Sequence, residues 1–259
     1  MRLVTWNVNS IRARLPRVLE LLDAHAPEAV CLQETKATNA TFPHEVLAAV
    51  GYRAVERSEG RWNGVALLVR DGLPVEDVRV VLPGEPVPTE ARWIEAVVDG
   101  VRLASVYVPN GRDRDHPLFA VKLRFLAAMR DRLRELVDEG PAVVAGDMNV
   151  AREDRDVWDV AQLGISTHIS PDERAGVEAL LGAGFLDAFR EVEPDAPGFT
   201  WWDYRMQAYR RGWGMRIDLA LTSRDLVTAA CRVDTRFREP NAAGDKPSDH
   251  APVVVDLAR

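Results

Sequence analysis

The stretch Ala142-Val143-Val144-Ala145-Gly146-Asp147-Met148-Asn149 decides how the chain is read: four apolar residues, a glycine, then two side chains that offer oxygen. Residues 142–145 read as a strand, because a short apolar run bounded by turn residues is too brief for a helix. Upstream, Gly140-Pro141 ends a helix that follows Pro117, along which Leu118, Phe125, Met129, Leu133 and Leu136 keep mostly to i+3 and i+4 steps.

The same alternation runs outward in both directions. Strands are expected at residues 3–9, 29–32, 64–69, 94–98, 102–108, 216–222 and 252–257. Leu15, Val18, Leu19 and Leu22 give a helix one buried face. Ser170-Pro171-Asp172-Glu173 reads as a helix start, with a serine cap, a first-turn proline and acids that complement the helix dipole. No Gly/Ser-rich or Pro-rich linker interrupts the pattern, so residues 1–259 are read as one domain. Many strands with few amphipathic helices favour an α/β sandwich over a doubly wound single sheet.

Apolar residues make up 47% of the chain and charged residues 28%, enough for a substantial core and against disorder. The net charge of −7 argues at first sight against a polyanionic partner. Net charge does not settle distribution, however, and arginines cluster locally at 12, 14 and 17, at 112 and 114, and at 205, 210, 211 and 216. Two distant cysteines, Cys31 and Cys231, exclude a disulfide scaffold and read as buried reduced thiols of a cytoplasmic protein. The asparagines of Thr5-Trp6-Asn7-Val8-Asn9 break any signal-peptide core, and no run reaches the roughly 18 apolar residues of a membrane span.

Function is read from the polar groups that end apolar strands. Asn7 closes the first, Glu34 follows the second, Asp147 and Asn149 end the stretch quoted above, Asp218 lies between Ile217 and Leu219, and Asp249-His250 precede the last strand. Each alone is explained by a turn or a solvated strand end. Together they describe oxygen ligands meeting at one end of a sheet, which suit a hard cation, Mg²⁺ or Mn²⁺, rather than structural zinc. His250 stands beside Asp249, and a second carboxylate such as Asp218 could fix its tautomer and favour an imidazolium near phosphate.

Six strings in order then carry a resemblance. They are Thr5-Trp6-Asn7-Val8-Asn9-Ser10-Ile11-Arg12-Ala13-Arg14, Leu32-Gln33-Glu34-Thr35-Lys36, Val106-Tyr107-Val108-Pro109-Asn110-Gly111, Gly146-Asp147-Met148-Asn149, Arg216-Ile217-Asp218-Leu219 and Ser248-Asp249-His250-Ala251-Pro252. Their order and spacing resemble exonuclease III and the apurinic/apyrimidinic (AP) endonucleases of the endonuclease/exonuclease/phosphatase superfamily. The resemblance implies a four-layer α/β sandwich, two packed mixed β-sheets flanked by helices, with the active site at one end. It implies Glu34 as principal Mg²⁺ ligand, Asn7 and Asp249 in the metal shell, and Asp147, Asn149 and His250 sharing that ion or a second. Asp147 would activate water, Asn149 would position it, His250 oriented by Asp218 would bind the scissile phosphate, and Tyr107 would support charge there.

The superfamily also resembles phosphodiesterases of lipids and inositol phosphates, so its shared core does not name the substrate. Phe199-Thr200-Trp201-Trp202-Asp203-Tyr204-Arg205 resembles the aromatic segment that repair nucleases place beside a flipped-out abasic sugar. Trp201, Arg205 and Arg216, with Arg12, Arg92, Asn110 and Arg112, are the expected DNA contacts. The expected partner is duplex DNA with abasic sites or 3′ ends, acted on by a monomer. Two alternatives stand beside this reading: a lipid or small-molecule phosphodiesterase, and a catalytically silent protein that binds damaged DNA.

Overall fold

A computed structural model describes residues 1–164 and 166–258. Six strands form the first sheet, in the order β13 (Thr228–Val233), β14 (Val253–Leu257), β1 (Arg2–Asn7), β2 (Ala29–Gln33), β4 (Val65–Arg70) and β3 (Tyr52–Arg57). The second also has six: β5 (Val75–Arg79), β6 (Trp93–Val98), β7 (Val101–Tyr107), β8 (Ala142–Asp147), β12 (Asp218–Ser223) and β9 (Phe185–Asp187). Each sheet is mixed, with β1 parallel to β2 and β7 parallel to β8 while their other neighbours run antiparallel. A two-stranded ribbon, β10 (Trp201–Trp202) with β11 (Gly214–Met215), lies beyond them.

Strand alternation sorts the apolar side chains into three cores. Leu3, Cys31 and Leu67 of the first sheet meet Leu103, Val143, Ala145 and Ala220 of the second. Their neighbours Val4, Trp6, Leu32 and Leu68 turn outward onto α1 (Ile11–His25) and α2 (His44–Ala49). On the far side Ala104, Val106 and Val144 pack on Phe125, Met129 and Leu136 of α3 (Pro117–Glu139) and Val177 and Leu180 of α5 (Pro171–Gly182). Each Leu, Val, Phe or Met among them contributes about 1.5–3 kcal/mol when fully removed from water. The result is helix, sheet, sheet, helix, the four-layer sandwich the resemblance implied. Short helices α4 (Val160–Leu163), α6 (Ala188–Val192) and α7 (Ala208–Arg211) sit in the connections.

Helix boundaries follow local chemistry. Ser170 caps α5 in a reciprocal box with Glu173, with Pro171 in the first turn. Gly140 ends α3, whose start is capped by His116 Nδ1, accepting from the Leu118 N–H at 3.1 Å. Among the described residues no helix is long and apolar enough to cross a membrane. Cys31 and Cys231 are both buried and unpaired, and burial pushes each thiol up to about 12.

Besides the short ribbon β10–β11, four strands lie outside the sequence reading: β3, β5, β9 and β13. They are the four edges of the two sheets. An edge strand pairs on one side only and carries charges such as those of Arg53, Glu76 and Arg232, so its apolar pattern is diluted.

Candidate active site

Topology brings the acidic strand ends together. Because β14 is antiparallel to β1, the segment entering β14 lies at the end of β1 where Asn7 stands. Because β1 is parallel to β2, Asn7 pairs with Gln33 and Glu34 follows at the same end. In the second sheet Asp218, opening β12, is the direct register partner of Asp147, closing β8. Gly146 is obligatory here, since a Cβ would collide with the Val106 carbonyl of the parallel neighbour.

The side chains then interlock. Asn7 Nδ2 donates to Glu34 Oε1 at 2.8 Å and to Asp147 Oδ2 at 2.9 Å, bridging the two sheets. Asp147 Oδ1 accepts from the Asn149 N–H at 2.8 Å. His250 Nδ1 donates to Asp218 Oδ2 at 2.8 Å, which aims Nε2 at Asp147 Oδ2, 3.8 Å away. Asp249 is held by Asn9 Nδ2 at 2.9 Å and Trp201 Nε1 at 3.1 Å. Glu34, Asp147, Asn149, Asp249 and His250, with Tyr107, Asn110 and Trp201, line one pocket of about 190 Å³. Donor atoms of Glu34, Asp147 and His250 lie within 4.8 Å of one another, the spacing of ligands around one ion.

Backbone strain is concentrated at the same place. Asn9, Glu34, Lys36, Asn149 and His168 all have positive φ, from 45° to 76°. Each such conformation costs of order 1–3 kcal/mol and persists because hydrogen bonds of the site enforce it.

Electrostatics separate the roles. Burial, then the charges of Asp218 and Glu34, push the Asp147 carboxyl up to about 7, against the pull of His250 and the Asn7 amide. For His250, burial disfavours the imidazolium, but the charge and hydrogen bond of Asp218 and the charge of Asp147 outweigh it and raise the group to about 10. Burial opposes ionisation of Asp249, yet the His250 charge and the bonds from Asn9 and Trp201 hold its pKa below the usual range. Tyr107 is pushed well above its ordinary value by burial and by Glu34 and Asp147, so it stays a hydroxyl donor.

His250 has a pH signature. Its folded pKa is raised, so its stabilising contribution is complete below about 6.5 and is lost as pH rises through about 10. In Asp218→Asn the main raising cause is gone, and the alkaline limb of the kcat/KM profile is expected to move at least about one unit toward neutrality. An unmoved limb would mean that His250 is not the group responsible.

The expected DNA contacts divide. Trp201 and Asn110 face the pocket, Arg112 is exposed beside it, its N–H donating to Asn110 Oδ1 at 3.1 Å, and Arg12 is exposed in the first turn of α1. Arg205 is exposed, its side chain 84% accessible, with its guanidinium on Asp203 at 2.6 Å. Arg216 and Arg92 need correction. Arg216 is 1% exposed and lies between Asp156 and Asp187, each 2.8 Å away, so it is a core ion pair. Arg92 is paired with Glu90 and stacked 4.7 Å over the Tyr107 ring, a support for the tyrosine rather than a phosphate contact. Arg216→Met would leave two buried carboxylates short of a partner and is expected to cost about 3–5 kcal/mol in urea unfolding; a loss under about 1 kcal/mol would contradict the core assignment.

Three residues of the site had no role assigned from the sequence. Lys36 Nζ reaches Glu34 Oε2 at 2.7 Å and Asn9 Oδ1 at 2.6 Å. Lys122, fully buried on α3, donates to the carbonyls of Asn149 at 2.7 Å and Asn110 at 3.2 Å and pairs with Glu173. His168 lines the pocket with Nδ1 2.5 Å from the Asn149 carbonyl, and burial beside Lys122 lowers it to about 4, so it is neutral.

Fold and site together define a phosphoester hydrolase, and the sequence matches the Endonuclease/Exonuclease/phosphatase family model over residues 4–250; the chain belongs to that family. Exodeoxyribonuclease III of Haemophilus influenzae is 30% identical, covering 99% of this chain and all of the relative. Among solved structures, the Neisseria 3′ phosphatase NExo bound to a product DNA hairpin superposes with TM-score 0.95 at 35% identity, and an AP endonuclease from Archaeoglobus fulgidus with 0.93 at 34%. Both are matched over the full length of both chains. Within the family, the chain belongs to the exonuclease III and AP endonuclease branch.

Proposed function

We propose that this chain is a Mg²⁺-dependent DNA-repair nuclease, a monomer of one domain, that hydrolyses phosphodiesters of duplex DNA at 3′ ends and on the 5′ side of abasic sites. One observation carries the reading: Glu34, Asp147 and the Asp249-His250 pair, with Asn7 bonded to the first two, converge from four places in the sequence on a pocket walled by Trp201. The two buried unpaired thiols support a reducing, cytoplasmic setting.

The donor set fits a hard cation, because three carboxylates and an amide crowd together with no thiolate among them. Glu34 would be its principal ligand, with Asn7, Asp147, Asn149 and Asp249 around it, while His250, as an imidazolium, has no lone pair for the ion and faces the phosphate. The bound ion supplies positive charge at the phosphate, and Mn²⁺ would serve in place of Mg²⁺.

The chain's own groups do the rest. Asp147, fixed by Asn7 and the Asn149 N–H, takes the proton of the attacking water. Asn149 spends one amide hydrogen on the Val108 carbonyl at 2.9 Å and keeps the other for water or phosphate oxygen. His250, held charged by Asp218, presents Nε2–H to the phosphate as charge grows in the transition state. Tyr107, its ring fixed under Arg92, donates its hydroxyl beside it. Trp201 offers an indole face to a sugar without a base, where extrusion is cheapest.

The test is a comparison of three labelled duplexes, with an abasic site, a 3′-phosphate and a recessed 3′ end, incubated with Mg²⁺. Cleavage of at least one supports the reading and ranks the activities. A chain that leaves all three intact while hydrolysing a phospholipid or inositol phosphate would overturn it, and one that binds them without cleaving any would be a damage-binding protein.

A further inference from the structure

A second, larger cleft of about 870 Å³ opens behind the Trp201-Trp202 ribbon. Its wall is tied to the catalytic loop: Tyr204 donates its hydroxyl to the Pro247 carbonyl at 2.9 Å, two residues before Asp249, and Arg14 bridges the Asn9 carbonyl at 3.0 Å and the Tyr204 oxygen at 2.8 Å. Asn9 in turn holds Asp249. The cleft and the catalytic pocket therefore share a frame.

Arg238 forms the floor. It is only 7% exposed, and its one hydrogen bond is from Nη2 to the Trp202 carbonyl at 3.1 Å, leaving its buried Nε unpartnered. The other buried arginines, Arg17, Arg102, Arg132 and Arg216, each have a carboxylate within 4 Å; among the described residues Arg238 has none. Instead the guanidinium lies 5.1 Å from the Tyr204 ring and 5.2 Å from that of Tyr209. A buried cation without an anion is costly, and the cost is offset when a ligand brings one.

Arg14, Arg210 and Lys246 line the same cleft, and none of them has a carboxylate within 4 Å among the described residues. Of its two acids, Asp203 is paired with Arg205 at 2.6 Å, while Glu239 accepts from the Tyr209 hydroxyl at 3.0 Å and keeps its charge. In a chain of net charge −7, four cations around one cavity, against a single carboxylate not paired with a cation, are a local excess.

We propose that this cleft is a second nucleic-acid subsite, taking a backbone phosphate on Arg238, Arg210 and Lys246 with the adjoining nucleotide against Tyr204 and Tyr209. The inference rests on the nuclease reading. Interleaved cations and aromatic faces are the chemistry that holds a nucleotide strand without reading its sequence. The cavity volume is ample for one nucleotide.

The experiment uses the full chain carrying His250→Asn, so that the probe survives, and measures anisotropy of a fluorescein-labelled duplex with a four-nucleotide single-stranded tail over a range of salt. Arg210→Ala with Lys246→Ala is expected to weaken binding about tenfold and to lower the slope of log K against log salt by about 1–2. Arg130→Ala with Arg134→Ala on α3 removes the same charge elsewhere and is expected to change affinity less than about twofold. Arg238→Met should reproduce the cleft effect if it folds, but the surface pair decides. Equal behaviour of the two double variants overturns the subsite. Failure of the parent to bind the duplex at all would instead overturn the nuclease reading.

Discussion

Asp147→Asn is expected to lower kcat on an abasic or 3′-phosphate duplex by about three orders of magnitude, the middle of the range that a positioned proton acceptor contributes. Asparagine keeps the shape and one oxygen, so the bond from the Asn149 N–H survives while the proton acceptor is lost. The fold should tolerate the change well, because burial and the charges of Asp218 and Glu34 already disfavour the ionised carboxylate. Duplex affinity should hold or rise, since one negative charge facing phosphate is removed. Single-turnover rates with anisotropy and circular dichroism separate these effects. A variant within about tenfold of the parent would show that another group accepts the proton.

Removal of the divalent ion is the second large effect. A cation at such a site contributes several kcal/mol to the transition state, and each 1.36 kcal/mol is about tenfold in rate, so excess EDTA is expected to cost at least about 10³ in turnover. Mg²⁺ or Mn²⁺ should restore it. Zn²⁺ matched in concentration is a poorer fit to an oxygen-rich set. A readout independent of turnover is thermal unfolding: an ion at a hundred times its Kd stabilises the fold by about 2.7 kcal/mol. Because ion and proton compete for Asp147, which is raised to about 7 by burial with Asp218 and Glu34, the shift in Tm should shrink as pH falls below neutrality. A chelated protein with full activity would remove Glu34 and Asp249 from the role of ligands.

The two effects act on different links of the site. Asp147 loses chemistry without losing architecture, whereas ion removal leaves Glu34, Asp147 and Asp249 facing one another without compensation other than His250 and Lys36. Urea unfolding of the Asp147→Asn protein with and without Mg²⁺ therefore distinguishes a catalytic loss from a lost binding site.

Read by itself, the polypeptide determined the eight interior strands, their alternation with helices, and the oxygen-bearing residues that end them. Those features are local: a doubly covered strand must be apolar along its length, and a carboxylate at its end stands out. The four edge strands escaped because one free side lets polar residues in.

Only tertiary structure decided what each charge is for. Arg216 sits next to a catalytic string and looks like a DNA contact, yet Asp156 and Asp187, distant in sequence, claim it for the core. Arg238 carries no motif and becomes conspicuous only because no carboxylate among the described residues lies within 4 Å of it. His168 enters the pocket because Lys122 and Glu173, on two helices, fix the loop that bears it. Propensity and hydrophobic period act over a few residues, but the energy of a charge depends on which opposite charge the fold brings within about 4 Å, and the chain closes such distances from positions far apart in its order.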